Sequence, residues 1–110
     1  MENRQPEIFG DGTATRGFCY VSDICRMIEI VGNLDTTPDD IVYNVGSGIP
    51  TDLMTLFKSM QHVLIDYGYK IDFELPKLGE KRAGDILHSC ADISLAAKKL
   101  GFQAEISLKD

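Results

Sequence analysis

The stretch Ile8-Phe-Gly-Asp-Gly-Thr-Ala-Thr-Arg-Gly-Phe-Cys-Tyr-Val-Ser-Asp23 decides the fold class, because it carries several kinds of local structure in one short run. An apolar segment ends at Phe9 and a glycine-rich turn follows it. Arg16 to Val21 is rich in the aromatic and β-branched residues that favour strands. Ser22 and Asp23 are then residue types preferred at the beginning of a helix. The stretch therefore predicts a strand followed directly by a helix.

Three helices are predicted from apolar residues that recur at helical spacing. The first is capped by Ser22 and ends at Gly32 and Asn33, the second is capped by Thr51, and the third is capped by Asp92. Gly68 and Gly101 are the stop residues of the second and third helices. The inward positions are Ile24, Met27, Ile28 and Val31, then Leu53, Leu56, Phe57, Met60, Val63 and Leu64, and finally Ile93, Ala96, Ala97 and Leu100.

Strand candidates alternate with these helices. Ile41–Val45 is compact and mostly apolar, and Ile71, Phe73 and Leu75 alternate with acidic residues. Residues 102–110 are expected to form an irregular tail that frays. The order of elements predicts an α/β fold with three helices and a few short strands. The length of 110 residues suits a single domain, residues 1–110.

Composition and charge exclude several classes of protein. The net charge of -6 argues against a general nucleic-acid-binding protein, which needs a basic surface. No apolar run approaches the roughly 18 residues of a membrane span, and no basic-then-apolar leader follows Met1. Cys19, Cys25 and Cys90 are an odd number without a CxxC pair, which favours a reducing cytoplasm over a disulfide framework.

No complete active site is visible in the sequence. There is no Walker phosphate loop and no GxGxxG between a strand and a helix. Gly46-Ser-Gly48 is open to two readings, a tight turn or an anion site at a helix N-terminus. His88, Cys90 and Asp92 offer three metal ligands where a structural zinc site needs four, so no metal site is predicted. No activating partner lies near any cysteine, so no catalytic cysteine is predicted either.

Two arginines are the most informative polar residues. Arg16 follows the glycine-rich turn, and Arg82 lies in a small basic cluster with Lys81. Arginine is suited to bidentate contact with phosphate oxygens, so arginines from separate loops would suit a diphosphate. The alternative is that both are ordinary surface arginines paired with Asp11 or Asp85.

Three segments together resemble a known family. They resemble motifs of NAD-dependent sugar-nucleotide epimerases and dehydratases and stand in the same order as in those enzymes. The segments are the Ile8–Asp23 stretch, the turn Val42-Tyr-Asn-Val-Gly-Ser-Gly48, and Arg82-Ala-Gly-Asp-Ile-Leu-His-Ser-Cys-Ala-Asp-Ile-Ser94 followed by Lys99-Leu-Gly-Phe102. These enzymes form the extended short-chain dehydrogenase/reductase family. The resemblance covers nearly the whole chain, but only the C-terminal portion of the family's enzymes.

The resemblance implies a substrate-binding role for five positions. Arg16 and Arg82 would contact the diphosphate of a nucleotide sugar, and Asp85 would orient Arg82 or meet the ribose. The backbone around Ile8 and Phe9 would meet the base. The family usually has Asp or Ser after the first arginine, where Gly17 stands here, which would weaken the polar support of Arg16.

The resemblance also implies what this chain lacks. The family's N-terminal Rossmann domain binds NAD and carries a catalytic Tyr-x-x-x-Lys, but no tyrosine here has lysine four residues later. The chain is therefore expected to have no catalytic or cofactor-binding residues of its own and to need that domain as partner. Its motifs look closest to UDP-N-acetylglucosamine 4-epimerases. The alternative is a free-standing, non-catalytic α/β module that self-associates or binds a protein.

Overall fold

The computed structural model describes residues 4–35 and 42–109, which form two compact units. The first unit contains residues 4–16 and 51–89, and the second contains residues 17–35, 42–50 and 90–109. Each unit is thus assembled from separate segments of sequence. The predicted site residues Ile8, Phe9, Arg16, Arg82 and Asp85 all belong to the first unit.

Helices and short strands alternate along the described residues, which confirms the predicted α/β class with three helices. In chain order the elements are β1 (Glu7–Phe9), β2 (Thr15–Gly17), α1 (Val21–Gly32), β3 (Pro50–Asp52), α2 (Leu53–Asp66), β4 (Lys77–Gly79), β5 (His88–Ser89) and α3 (Ser94–Leu100).

Parallel strand pairs hold distant segments of the first unit together. Strands β1 and β4 pair with Phe9 opposite Gly79, and the N–H of Gly10 extends the ladder to the carbonyl of Gly79 at 3.0 Å. In the second sheet, of order β3-β2-β5, Thr15 lies opposite His88. The glycine-rich turn is thereby fixed beside the segments that follow β4.

Helix α2 has the extent that its apolar stripe predicts, but a different cap. Asp52, and not Thr51, is the N-cap, because its carboxylate accepts hydrogen bonds from the N–H and hydroxyl of Thr55. The predicted strand at residues 71–75 is wrong. Ile71 and Phe73 are half-buried at the alternating positions, but no neighbouring strand pairs with them in the described residues.

The core of the second unit is formed by side chains from α1 and from the C-terminal segment of the chain. Met27 of α1 packs with Ala96 of α3 and with Phe102, and both Ala96 and Phe102 have no exposed surface. Helix α3 ends where predicted, at Gly101, whose φ of 65° is the left-handed conformation that glycine adopts at low cost. The predicted irregular tail therefore begins with a fully buried side chain and is not free there.

Four predictions for α1 and for the segments around residues 16–21 and 41–45 are wrong. Helix α1 begins at Val21, so the predicted strand over Arg16–Val21 is limited to β2, and no Ser22 side chain caps the helix. Ile28 and Val31 are 67% and 42% exposed, because the core contacts the face that carries Met27 and Ile30. Residues 42–45 form no strand, although Tyr43 and Val45 pack on the core; Ile41 lies outside the described residues.

Asp23 ties the tail to α1. It is 1% exposed, and its carboxylate accepts hydrogen bonds from the N–H groups of Glu105 and Ile106 and from the Arg26 guanidinium. These bonds, the Glu105 N–H first and the Arg26 side chain next, hold the pKa of Asp23 below its usual range. A residue expected only to complement the helix dipole therefore anchors the tail.

The prediction of a single domain stays a prediction, since compactness of each unit does not measure folding cooperativity. Among the helices of residues 4–35 and 42–109, none has both the length and the apolar character that a bilayer crossing requires.

Candidate functional site

Strand β1 presents two different faces to its unit, because successive side chains of a strand point in opposite directions. Ile8 lines an apolar pocket of about 210 Å3 together with Phe57 of α2 and Phe73. Phe9 instead lines a cleft of about 270 Å3 whose polar lining residues are Asp11, Thr13, Lys81 and Asp85. We call this second pocket the Phe9 cleft.

Arg82 lies against the ring of Phe9, although Arg82 is not itself one of the residues that line the cleft. Its guanidinium carbon is 3.7 Å from the centroid of the Phe9 ring, which is a close cation–π contact. The guanidinium forms no ion pair with any carboxylate in residues 4–35 and 42–109, which excludes the predicted alternative of pairing with Asp11 or Asp85 in this conformation. Among the described residues, no acidic side chain therefore neutralises the charge of Arg82.

Arg16 is held by backbone oxygens. Its Nη1 donates to the carbonyl oxygen of Thr15 at 2.8 Å and, more weakly, to that of Leu87 at 3.5 Å. Arg16 does not line the Phe9 cleft, but Leu87 does. Within the described part of the chain Arg16 also has no carboxylate partner, so its positive charge, like that of Arg82, is not neutralised by an ion pair.

Gly17 follows Arg16 where the family usually has a polar residue. A Cβ atom at this position would lie 3.2 Å from Cys90 Sγ and 3.4 Å from Cys90 Cα. The glycine is therefore matched to the cysteine beside it, and a serine or aspartate would require Cys90 to move.

Asp85 and Arg82 are joined through the backbone. The N–H of Asp85 donates to the carbonyl of Arg82 at 3.3 Å, in a turn where Gly84 has a φ of 84°. The Asp85 carboxylate lines the Phe9 cleft without an ion pair to Arg82. Of the two roles expected for Asp85, a contact with a bound ligand fits this position, whereas a side-chain contact that orients Arg82 is not formed.

Asp11 also lines the cleft, and hydrogen bonds fix its carboxylate. Its Oδ1 accepts from the hydroxyl of Thr13 at 2.6 Å and from the N–H of Thr13 at 3.0 Å. These two hydrogen bonds, with a smaller contribution from the charge of Lys81, lower the pKa of Asp11. Asp11, Thr13 and Lys81 are lining residues that sequence reasoning did not assign to the site, although the Asp-x-Thr spacing is a turn signal.

The structure brings together some of the predicted residues. Phe9 and Asp85 line one cleft and Arg82 stacks on Phe9, while Arg16 is linked to the cleft through Leu87. The Ile8 side chain faces the apolar pocket, so only its backbone remains available to a ligand at the cleft.

The Gly46–Gly48 turn does not fit a dinucleotide cofactor. An added Cβ at Gly48 would meet Ile93 Cγ1 at 3.0 Å, so the Gly46–Gly48 turn is closed by a side chain. Helix α2 begins only at Leu53, so the turn does not open a helix, and its tight-turn reading is the one that the structure supports.

The cysteines and potential metal ligands are also placed by the structure. Burial, together with the charge of Asp23, raises the pKa of the Cys19 thiol, which disfavours a reactive thiolate. All three cysteines are free. No group of three His, Cys, Asp or Glu side chains suited to a metal ion occurs among the described residues.

The chain is similar in sequence and structure to known enzymes. It matches the UDP-glucose 4-epimerase of Thermotoga maritima, solved with UDP-glucose, at 32% identity and a TM-score of 0.79 over 97% of this chain and 32% of that one. A UDP-N-acetylglucosamine 4-epimerase of Methanobrevibacter ruminantium, solved with UDP-N-acetylmuramic acid, matches at 33% identity and a TM-score of 0.74, over 97% and 30%. The UDP-glucose 4-epimerase of Bifidobacterium longum, solved with NAD+ and UDP, matches at 27% and 0.72, over 94% and 31%. No family model matches the chain.

The homologues and structural neighbours belong to one class of enzyme, the sugar-nucleotide epimerases of the extended short-chain dehydrogenase/reductase family. More particularly, they are UDP-sugar 4-epimerases, and the match lies in their C-terminal portion. The chain spans about a third of the length of the curated relatives that it matches. UDP-N-acetylglucosamine 4-epimerase is among these neighbours, as the motifs predicted.

Proposed function

We propose that the chain is the nucleotide-sugar-binding part of an NAD-dependent UDP-sugar 4-epimerase and that it does not catalyse epimerisation alone. The carrying observation is the Phe9 cleft, which Asp85 lines, together with the guanidinium of Arg82 on the Phe9 ring, which has no carboxylate partner among the described residues. The neighbours of the chain include enzymes solved with UDP-sugars. Two arginines that have no carboxylate partner in residues 4–35 and 42–109 suit the negative charges of a diphosphate.

The proposal assigns the missing chemistry to a second domain. This chain carries no Tyr-x-x-x-Lys, and its glycine turn does not fit NAD. A homologous epimerase was solved with NAD+, so the cofactor and catalytic pair would come from an N-terminal Rossmann domain of that kind. Three free cysteines suit a reducing cytoplasm as the site of this activity.

Calorimetric titration with UDP tests the proposed function. The chain is measured alone and mixed with the NAD-binding domain of the Thermotoga maritima relative. Arg82→Ala and Arg16→Ala are each expected to weaken the binding of UDP roughly tenfold or more, because charge-assisted hydrogen bonds contribute about 1.5–3 kcal/mol. Lys58→Ala, which removes an exposed positive charge on α2, is the matched control and should bind as the wild type does. A wild-type chain that binds no UDP in either setting would refute the proposal.

A second candidate function, a module that self-associates, is favoured by exposed apolar side chains on α1. Val21 and Ile28 are 65% and 67% exposed, and their spacing places them on the helix face away from Met27. Apolar side chains grouped on one face favour association with another apolar surface. The same face would serve an added N-terminal domain equally well.

Light scattering separates these two uses of the α1 face. Self-association predicts a mass above that of one chain, reduced to one chain by Ile28→Lys but not by Tyr67→Lys, which adds the same charge at a residue that is 80% exposed. If the added Rossmann domain replaces the self-contact with a one-to-one complex, the enzyme-part proposal is favoured. A wild type that stays monomeric at high concentration contradicts the self-associating module.

A further inference from the structure

The contact between Phe9 and Arg82 joins two segments that are distant in sequence. Pairing of β1 with β4 fixes Phe9 opposite Gly79, three residues before Arg82. Gly79 places no side chain beside the ring, and the chain then turns so that the guanidinium of Arg82 covers the ring face at 3.7 Å. The ladder therefore determines where Arg82 stands.

An aromatic partner leaves Arg82 in a different chemical state from an acidic partner. A carboxylate would occupy the N–H donors of the guanidinium and neutralise its charge. A ring contacts only the face of the planar group, so its in-plane donors and its charge remain available to another anion. No carboxylate of the described residues pairs with Arg82, which leaves the ring as its positioning contact.

We propose that Phe9, which lines the cleft, is the positioning residue for Arg82: its ring holds the guanidinium beside the cleft with the donors available to the diphosphate of a nucleotide sugar. This inference rests on the proposed function. It gives Phe9 a role beyond the backbone contact with the base that the family resemblance implies. Phe9 acts through Arg82 and does not itself bond to the diphosphate.

Pyrophosphate separates this role from stacking on a base, because it has the phosphate oxygens but no base. Calorimetric titrations of UDP and pyrophosphate compare the wild type with Phe9→Leu, Phe9→Tyr, Arg82→Ala and the double variant Phe9→Leu/Arg82→Ala. Phe9→Leu is expected to weaken the binding of both ligands by the same factor, roughly three- to fivefold, because it removes a cation–π contact. Phe9→Tyr retains wild-type affinity, and Phe9→Leu has no further effect once Arg82 is alanine.

An NMR measurement checks the stack without a ligand. The ring current of Phe9 should shift the Arg82 side-chain protons upfield in the wild type and in Phe9→Tyr, and Phe9→Leu should abolish the shift. If the shift is absent from the wild type, the inference is overturned even if Phe9→Leu fails to fold.

The titration outcomes also separate the inference from the proposed function. A wild type that binds neither ligand, alone or with the added domain, overturns the proposed function and the inference with it. If the wild type binds UDP but Phe9→Leu weakens only UDP and not pyrophosphate, the ring acts on the base and the inference alone fails. An equal effect of Phe9→Leu in the Arg82→Ala background would likewise overturn it.

Discussion

The backbone N–H of Glu105 donates a hydrogen bond of 3.0 Å to Oδ1 of Asp23, across 82 residues of sequence. The N–H of Ile106 bonds Oδ2 of the same carboxylate at 3.1 Å, and Arg26 contacts it at 2.9 Å. One buried acidic side chain in the first turn of α1 thus fixes a segment without regular structure.

Asp23→Asn is expected to lower the Tm and to flatten its dependence on acid pH. The pKa of Asp23 is depressed in the folded chain, so its stabilising contribution is complete above the ordinary carboxyl pKa of about 3.9 and is lost as the pH falls through the folded value. The asparagine cannot titrate, so the Tm difference between wild type and variant should be largest near neutral pH.

Thermal unfolding followed by circular dichroism at pH 7 and at acid pH measures this difference. Glu29→Gln, at an exposed position on the same helix, is the matched control and should change the Tm appreciably neither at pH 7 nor at acid pH. A constant Tm difference at every pH would show that the charge of Asp23 is not involved.

Phe102→Ala is expected to destabilise the chain by about 3–5 kcal/mol, the range for removing a buried aromatic ring. Phe102 has no exposed surface and completes the core formed by Met27 and Ala96. Urea unfolding measures the loss. Tyr67→Ala, where the side chain is 80% exposed, should stay close to the wild type, and equal effects at both positions would contradict the core assignment.

Gly48→Ala is expected to cost about 1–2 kcal/mol, because an L-residue is strained in the left-handed region. Gly48 has a φ of 69°, and the added methyl group would also press on Ile93. Gly32→Ala is the control, since no atom lies within 4 Å of its Cβ position and alanine favours the helix by up to about 1 kcal/mol. The denaturant midpoint should therefore fall for Gly48→Ala and rise for Gly32→Ala. An unchanged midpoint for Gly48→Ala would contradict the left-handed conformation assigned to Gly48.

Asp85→Ala is expected to weaken the binding of UDP roughly tenfold and to leave the affinity for pyrophosphate unchanged. The reason is that a carboxylate in the cleft would accept a hydrogen bond from a ribose hydroxyl, which pyrophosphate lacks. Competition between the two ligands, followed by calorimetry, gives both affinities. Asp66→Ala, an exposed carboxylate at the end of α2, is the control. Weaker binding of both ligands to Asp85→Ala would instead assign Asp85 to the support of Arg82.

The chain is expected to unfold in one cooperative transition. Each compact unit contains only about half of the 110 residues, and domains of that size bury a smaller fraction of their surface and are only marginally stable alone. Calorimetric and van't Hoff enthalpies should therefore agree. Two separate transitions would show that the units fold independently.

Sequence predicted best what depends on local periodicity. The extents of α2 and α3 follow from apolar residues at helical spacing, and the left-handed Gly101 ends α3 as expected. The stripe of α1 was less informative, because that helix is apolar on two faces and spacing cannot say that Met27 is buried while Ile28 is exposed.

Contacts between distant segments could not be read from spacing. The parallel pairing of Phe9 with Gly79 and the stack of Arg82 on Phe9 have no local signal, although the resemblance named both Phe9 and Arg82. The run at residues 42–45 has the composition of a strand, but a strand also needs a neighbour to accept its hydrogen bonds, and none pairs with it in the described residues. Asp23 was assigned to the helix dipole because its partners lie in the tail.

The cluster of Met27, Ala96 and Phe102 has a consequence for synthesis on the ribosome. Translation adds roughly 5–20 residues per second, so Met27 is made several seconds before Phe102. During that interval Met27 on the nascent helix lacks the two buried side chains that it packs with in the folded unit, Ala96 and Phe102. The second unit must therefore complete its folding after its last segment has left the exit tunnel.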